Sequence, residues 1–141
     1  MRLTYKDVDK AIALLQRGAN KWDWLPEIHE GKLREYMMAH IENPKTYMGV
    51  NKDITAIIVL QVVPDVFSTR QSIKDLVWYS ETRGCGVRVL KESRKWVEDW
   101  GDSVYEAYLS TSMNDERTDE MIGRMGFKKI GSQYSFRGGE V

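Results

Sequence analysis

The chain has 141 residues and a mass of 16.4 kDa, a size typical of one domain. Its 21 basic residues balance its 21 acidic residues, which argues against a general nucleic-acid binder because phosphate neutralisation needs a basic surplus. A hydrophobic content of 42% excludes an intrinsically disordered chain.

The remaining global features also constrain the class of protein. The single cysteine, Cys85, excludes an internal disulfide, and no metal site is indicated. No apolar stretch has the length of a membrane span, and the polar N-terminus is unlike a signal peptide. We therefore expect one cytoplasmic domain over residues 1–141, a monomer or homodimer, that binds neither nucleic acid nor membrane.

Apolar spacing predicts the first elements. Arg2–Tyr5 is a short candidate strand. From Asp7 to Arg17, apolar residues recur at three-to-four spacing, which predicts an amphipathic helix that Gly18 ends. A second helix is predicted from His29 to Ile41, because the residue before Pro44 avoids the helical conformation.

Three strands are predicted next. Thr46–Asn51 and Ile54–Val63 are separated by a few turn residues, which indicates a hairpin. The second of these runs is almost continuously apolar, as in a central strand covered on both faces. Ser72–Ser80 is a further strand, rich in β-branched and aromatic residues.

The C-terminal half continues the alternation. A helix is predicted over Val87–Trp100, a strand over Val104–Ser110, a helix over Asp115–Met125 and a final strand or strand pair from Phe127 onward. This order predicts an α+β (α/β) fold, with a mixed, mostly antiparallel sheet of about six to seven strands flanked by about four helices. The helix between Ser72–Ser80 and Val104–Ser110 predicts that these two strands are parallel.

The most informative segment is the strand, turn and helix over Leu76–Leu90. Its turn carries Gly84 and Gly86, and glycines let a backbone approach a ligand closely. The amides at a helix start, together with the positive end of the helix dipole, favour a phosphate or pyrophosphate. A tight connection with no ligand is the alternative explanation.

This segment resembles the coenzyme A turn of the GNAT superfamily of acyl-CoA-dependent N-acetyltransferases, whose pattern is Q/R-x-x-G-x-G/A. Arg83 matches the first position and Gly86 the fourth, whereas Arg88 stands at the sixth, where the family has Gly or Ala. Upstream, Trp78–Thr82 aligns with the strand end that pairs with the pantetheine arm. Downstream, Glu120–Phe136 is similar to the closing helix, the Gly-Phe junction and the last strands of the family.

The resemblance implies a GNAT-like fold and an acetyl transfer from acetyl-CoA to an amine of a small molecule, a peptide N-terminus or a lysine. It implies that coenzyme A contacts the strand end, the turn, the start of the next helix and a position beside the family's asparagine, namely Trp78, Tyr79, Ser80, Arg83, Gly84, Cys85, Gly86, Val87, Arg88 and Asn114. The Arg88 side chain either clashes with the pyrophosphate or folds over it, and the sequence leaves both open.

Catalytic residues are not assigned by the resemblance. The tyrosine that serves as the acid in many family members falls on Ile122. Tyr108 and Tyr134 are other hydroxyls that would reach a thiol, but each also fits a packed sheet tyrosine. Glu81 is a candidate base, although its position flanks the cofactor turn.

A competing hypothesis is a non-catalytic GNAT-like binding or assembly module, such as a bacteriophage virion or head-assembly accessory protein. Arg88 in the turn and Ile122 at the acid position both favour it. In the enzyme hypothesis, the acceptor enters beside the first two helices. There, Trp22 and Trp24 either border the acceptor or pack against the sheet.

Overall fold

A computed structural model describes residues 1–21, 27–110 and 116–131 of the chain. The chain divides into two compact units, Met1–Thr111 and Ser112–Val141. The sheet and three helices lie in the first unit, and a fourth helix lies in the second. The expectation of a single domain stays a prediction.

The elements alternate much as the apolar spacing predicts. The helices are α1 (Val8–Lys21), α2 (Glu30–His40), α3 (Cys85–Asp99) and α4 (Glu116–Arg124), and the strands are β1 (Thr46–Val50), β2 (Ala56–Pro64), β3 (Gln71–Ser80) and β4 (Val104–Tyr108). None of these helices, in the ranges described, is both long and apolar enough to cross a membrane.

The four strands lie side by side in chain order, β1-β2-β3-β4. Both β1 and β3 run antiparallel to β2, whereas β4 runs parallel to β3. A parallel pair needs a crossover connection, which α3 provides. The predicted mixed, mostly antiparallel sheet is therefore confirmed, and so is the parallel pair.

The expected six to seven strands are not found, because the described part of the chain forms four. The candidate strand Arg2–Tyr5 contributes only an isolated bridge between Arg2 and Gly49, since a 3-10 turn begins at Tyr5. Residues 127–131 form no strand, and the remainder of the predicted final pair lies outside the described residues.

Two helix ends also differ from the prediction. Gly18 does not end α1, because it lies on the buried face of a helix that continues to Lys21. Helix α3 begins at Cys85 rather than Val87, because Gly84 adopts the left-handed conformation (φ +86°) and caps the helix there. The part of the cofactor-turn motif that runs from Cys85 to Arg88 thus lies at the start of α3.

Strand β2 is buried on both faces, as predicted. Ile57 and Val59 belong to a core that includes Ile12 of α1. The alternate residues Ile58 and Leu60 point to the opposite face, which α3 covers. This packing fixes α3 against the sheet and so sets the position of its first turn.

Candidate functional site

Strands β3 and β4 pair over only part of their length. The parallel register runs from Gln71, opposite Val104, to Lys74, opposite Tyr108. Strand β3 continues to Ser80, but within the described ranges no strand pairs with it on this side beyond Lys74. We call the separation beyond Lys74 and Tyr108 the strand gap. It opens at the carboxyl ends of two parallel strands, where ligands bind in open α/β sheets.

A β-bulge marks the start of the strand gap. On the other edge of β3, Val77 lies opposite Val59 and Asp75 lies opposite Leu60, so Leu76 is the extra residue. A bulge bends its strand and increases the local twist. The direction of β3 therefore changes just beyond the last pair with β4.

Asp75 joins β3 to the residues that follow β4, just past the last pair of the two strands. Its Oδ1 accepts the backbone N–H of Ser110 at 3.0 Å. Burial raises the pKa of the Asp75 carboxyl, and hydrogen bonds from Ser110 partly oppose this effect. We did not single out Asp75 from the sequence, although a carboxylate within an otherwise apolar and aromatic strand end is a signal of a specific role.

The turn from Ser80 to Cys85 is fixed by local hydrogen bonds. The hydroxyl of Ser80 donates to the carbonyl of Thr82 at 2.6 Å and accepts the amide of Thr82 at 3.2 Å. The amide of Cys85 donates to the same carbonyl at 3.2 Å. Gly84 has open space around the position of a Cβ, so its positive φ explains why glycine stands there.

The first turn of α3 presents backbone donors. The amide of Arg88 donates to the carbonyl of Gly84 at 3.2 Å, whereas the amides of Gly86 and Val87 donate to no acceptor among the described residues. Such first-turn amides, together with the positive end of the helix dipole, form an anion-binding arrangement.

Trp78 connects β3 to this first turn. Its indole Nε1 donates to the carbonyl of Gly86 at 2.8 Å. A Cβ on Gly86 would lie 3.2 Å from the Cβ of Ser80 and 3.6 Å from the Trp78 Nε1. Gly86 is therefore explained by the close approach of α3 to β3, and Trp78 holds the two together. The sequence indicated the glycine but not this hydrogen bond.

Two arginines flank the helix start. Arg83 is exposed in the turn. Arg88 is 73% exposed, and its Nε lies 3.9 Å from a carboxylate oxygen of Glu92, one turn further along α3. Such an exposed and distant ion pair holds the Arg88 guanidinium only weakly.

The candidate acid and base groups have partners. The carboxylate of Glu81 accepts two hydrogen bonds from the guanidinium of Arg17 in α1, at 2.7 and 3.2 Å, and is therefore engaged. A hydrogen bond to Glu106 is the main cause that raises the pKa of Tyr108 to about 12. Tyr108 is therefore not poised to release a proton near neutral pH.

Comparison with known proteins gives a fold. No protein-family model matches the chain, and no curated protein matches its sequence.

The structure of glucosamine-6-phosphate N-acetyltransferase from Arabidopsis thaliana superposes with a TM-score of 0.72 at 14% identity, covering 98% of this chain and 96% of that chain. A Clostridium acetobutylicum protein described as a predicted acetyltransferase, solved with acetyl-CoA, gives 0.67 at 16% identity, covering 97% and 94%. An aminoglycoside acetyltransferase from an uncultured soil sample gives 0.65 at 11% identity, covering 97% and 93%. The chain has the GNAT fold.

The GNAT fold brings together nine of the ten predicted coenzyme-binding residues at the end of β3 and the start of α3, namely Trp78, Tyr79, Ser80, Arg83, Gly84, Cys85, Gly86, Val87 and Arg88. The side chain of Tyr79 is buried in the core rather than turned to the surface. Asn114, Trp22, Trp24 and Tyr134 lie outside the described residues. In the ranges that are described, no group of three His, Cys, Asp or Glu side chains is arranged to hold a metal ion.

Proposed function

We propose that this protein is an N-acetyltransferase that moves an acetyl group from acetyl-CoA to an amine acceptor. One observation carries the proposal: the strand gap beside β3 leads directly to the turn at Gly84 and the first turn of α3. An extended arm that ends in a pyrophosphate suits this path, with the arm in the gap and the phosphates at the helix start.

The residues present fit coenzyme A at both ends of this path. The amides of Gly86 and Val87 would bind the pyrophosphate, with added positive charge from Arg83 and Arg88. The main chain of Trp78 and of Ser80 would pair with the amide groups of the pantetheine arm, as an added strand does. Gly84 and Cys85 would shape the turn, and the buried Tyr79 would support the strand from the core.

The proposed reaction asks little of a protein acid. The amine nitrogen forms a bond to the acetyl carbon, the carbon–sulfur bond breaks, and the amine proton passes to solvent or to the thiolate. A thiol has a pKa of about 8.5, so a thiolate is a tolerable leaving group near neutral pH. Tyr108, with a pKa of about 12, is a weaker acid than the thiol it would protonate. We therefore propose that the chain acts mainly by orienting thioester and amine.

The acceptor is proposed as an amine-bearing small molecule or protein. Two fold neighbours are named for acetyl transfer to aminoglycosides and to glucosamine-6-phosphate, which both carry amines. Use of acetyl-CoA fits a cytoplasmic protein, and a monomer or homodimer remains the expected state.

Calorimetric titration with acetyl-CoA tests the proposal. Wild-type protein should bind, and its melting temperature should rise with ligand concentration. Gly86→Glu should weaken binding by at least about a hundredfold, because it places a carboxylate among the phosphate-binding amides. Gly31→Glu is the matched control, because Gly31 is likewise the second residue of a helix but lies in α2. An unchanged melting temperature of the wild type at millimolar acetyl-CoA would contradict the proposal.

The second candidate function is a non-catalytic GNAT-like binding or assembly module, of the kind found among bacteriophage virion and head-assembly proteins. Ile122 favours it, because an apolar side chain in α4 stands where the family has its acid. Release of free coenzyme A in the presence of a panel of amines separates the two functions. A protein that binds acetyl-CoA but releases none beyond the buffer rate, with any amine tried, would be the module.

A further inference from the structure

The start of the strand gap is set by a local change in β3. The last parallel pair joins Lys74 to Tyr108, and the bulge at Leu76 follows almost at once. The bulge changes the direction of β3 beyond its last pair with β4. The main-chain carbonyls of β3 therefore no longer accept hydrogen bonds from the described amides that follow β4, as they would in a regular ladder.

At this point a side-chain carboxylate, that of Asp75, accepts the hydrogen bond instead. Asp75 is the residue between the last pair and the bulge, and its Oδ1 accepts the N–H of Ser110 at 3.0 Å. The two residues are 35 positions apart in sequence, so the bond fixes the separation of two distant segments. The carboxylate makes the connection that a main-chain carbonyl makes in a regular ladder.

The position of this bond matters for a ligand in the gap. A strand rises about 3.3 Å per residue, so Asp75 lies roughly 17 Å along β3 from Ser80 at the cofactor turn. An extended pantetheine arm whose phosphates lie at the start of α3 would therefore bring its thioester end to the neighbourhood of Asp75. We propose that Asp75 is a positioning residue, which fixes the width of the strand gap through Ser110 and so orients the thioester end of acyl-CoA. This inference rests on the proposed function.

Two ligands separate this role from general binding. Acetyl-CoA occupies both the turn and the gap, whereas adenosine 3′-phosphate 5′-diphosphate has the phosphates but no pantetheine arm. Asp75→Ala should weaken acetyl-CoA binding about tenfold and leave the affinity for the pantetheine-free fragment unchanged. Asp75→Asn keeps the Oδ1 acceptor, so it should bind both ligands like the wild type.

Asp65 provides the matched control. Its carboxylate also accepts a backbone amide, that of Phe67 at 2.8 Å, and a hydroxyl, that of Ser72 at 2.9 Å, but it lies in the loop between β2 and β3. Asp65→Ala should therefore leave the affinity for both ligands unchanged. Thermal melting identifies the fraction folded in each variant.

Hydrogen exchange supplies a readout that does not depend on ligand. The amide of Ser110 should exchange faster in Asp75→Ala than in the wild type, and at the wild-type rate in Asp75→Asn. Unchanged acetyl-CoA affinity in Asp75→Ala, or an equal loss for both ligands, would overturn the role of Asp75. A wild-type protein that binds neither ligand would overturn the proposed function, and this inference with it, before any variant is made.

Discussion

The two edges of β3 differ in how far they are paired. Toward β2, the strand is paired antiparallel from Gln71 to Ser80, interrupted only by the bulge. Toward β4, it is paired only from Gln71 to Lys74. The same residues thus belong to a closed sheet on one side and to the strand gap on the other.

This difference separates stability from binding within a single strand. On the closed side, β3 pairs with β2, whose side chains, such as those of Ile57 and Ile58, are fully buried. The side with the gap is fixed instead by individual polar contacts, from Asp75 to Ser110 and from Trp78 to Gly86. We therefore expect substitutions on the closed side to change the free energy of unfolding, and substitutions around the gap to change ligand affinity.

The largest expected effect is a loss of stability on the closed side. Ile57 is fully buried in the core with α1, so Ile57→Ala should lower the free energy of unfolding by about 2–5 kcal/mol. The acetyl-CoA affinity of the folded fraction should not change. Leu76→Ala is the control at an exposed position of β3, since Leu76 is 55% exposed at the bulge. Urea denaturation measures both, and an equal loss in the two variants would show that burial is not the cause of the loss.

A smaller effect on both quantities is expected at Trp78, which connects β3 to the first turn of α3. Trp78→Phe removes the indole N–H that binds the Gly86 carbonyl, and should lower the free energy of unfolding by about 1 kcal/mol. Acetyl-CoA binding should weaken roughly three- to tenfold, because the first turn of α3 loses its brace. Trp96→Phe makes the same chemical change where the ring packs on Tyr47, so it should leave the affinity unaltered. If both variants bind alike, Trp78 is only a packing residue.

Arg88 should have a still smaller effect on affinity. Its exposed guanidinium is weakly paired with Glu92, so Arg88→Ala should weaken acetyl-CoA binding about two- to fivefold, and less at high salt. Arg94→Ala is the matched control, because Arg94 makes the equivalent ion pair with Glu98 further along α3. Tighter binding by Arg88→Ala would show that the arginine blocks the phosphate site, and would favour the non-catalytic module.

The smallest effects should appear in the pH dependence of stability, with opposite signs for two carboxylates. The amide of Phe67 and the hydroxyl of Ser72 lower the pKa of Asp65 below its ordinary 3.8, so its stabilisation is present above that pH and is lost as the pH falls. Burial raises the pKa of Asp75, so the folded protein holds this proton more tightly than the unfolded chain does. The stability that this provides is present below pH 3.8 and is lost as the pH rises above it.

Asparagine variants measure these two contributions. Relative to wild type, Asp75→Asn should gain stability as the pH rises above 3.8, whereas Asp65→Asn should lose stability as the pH rises toward 3.8 from more acidic values and should change no further above it. Thermal melts between acidic and neutral pH provide the comparison. Parallel curves for the two variants would contradict the assigned causes.

Much of the closed side was predictable from sequence, because its signals are local. The continuous apolar run that forms β2 indicated a strand covered on both faces, and the helix between β3 and β4 indicated a parallel pair. The glycines at positions 84 and 86 located the turn, since one needs a positive φ and the other a close approach to Ser80.

The contacts around the gap were not predictable, because they join residues that are distant or ambiguous in sequence. Nothing in the neighbourhood of Asp75 identifies Ser110 as its partner. Gly18 carries the same local signal as a glycine that ends a helix, yet the buried face of α1 extends past it. The segment Arg2–Tyr5 has a strand-like alternation, but only one bridge forms before the chain turns at Tyr5.

The crossover through α3 also has a consequence for the order of folding. Strands β1, β2 and β3 are joined by short connections, so their pairing closes short loops, whereas β4 can dock only after the whole of α3 has been traversed. Contacts of long sequence separation form more slowly than local ones. The antiparallel three-stranded sheet should therefore assemble first and the strand gap last. In pulse-labelled refolding, the amides of β2 should gain protection before the amide of Ser110, and the reverse order would contradict this sequence of events.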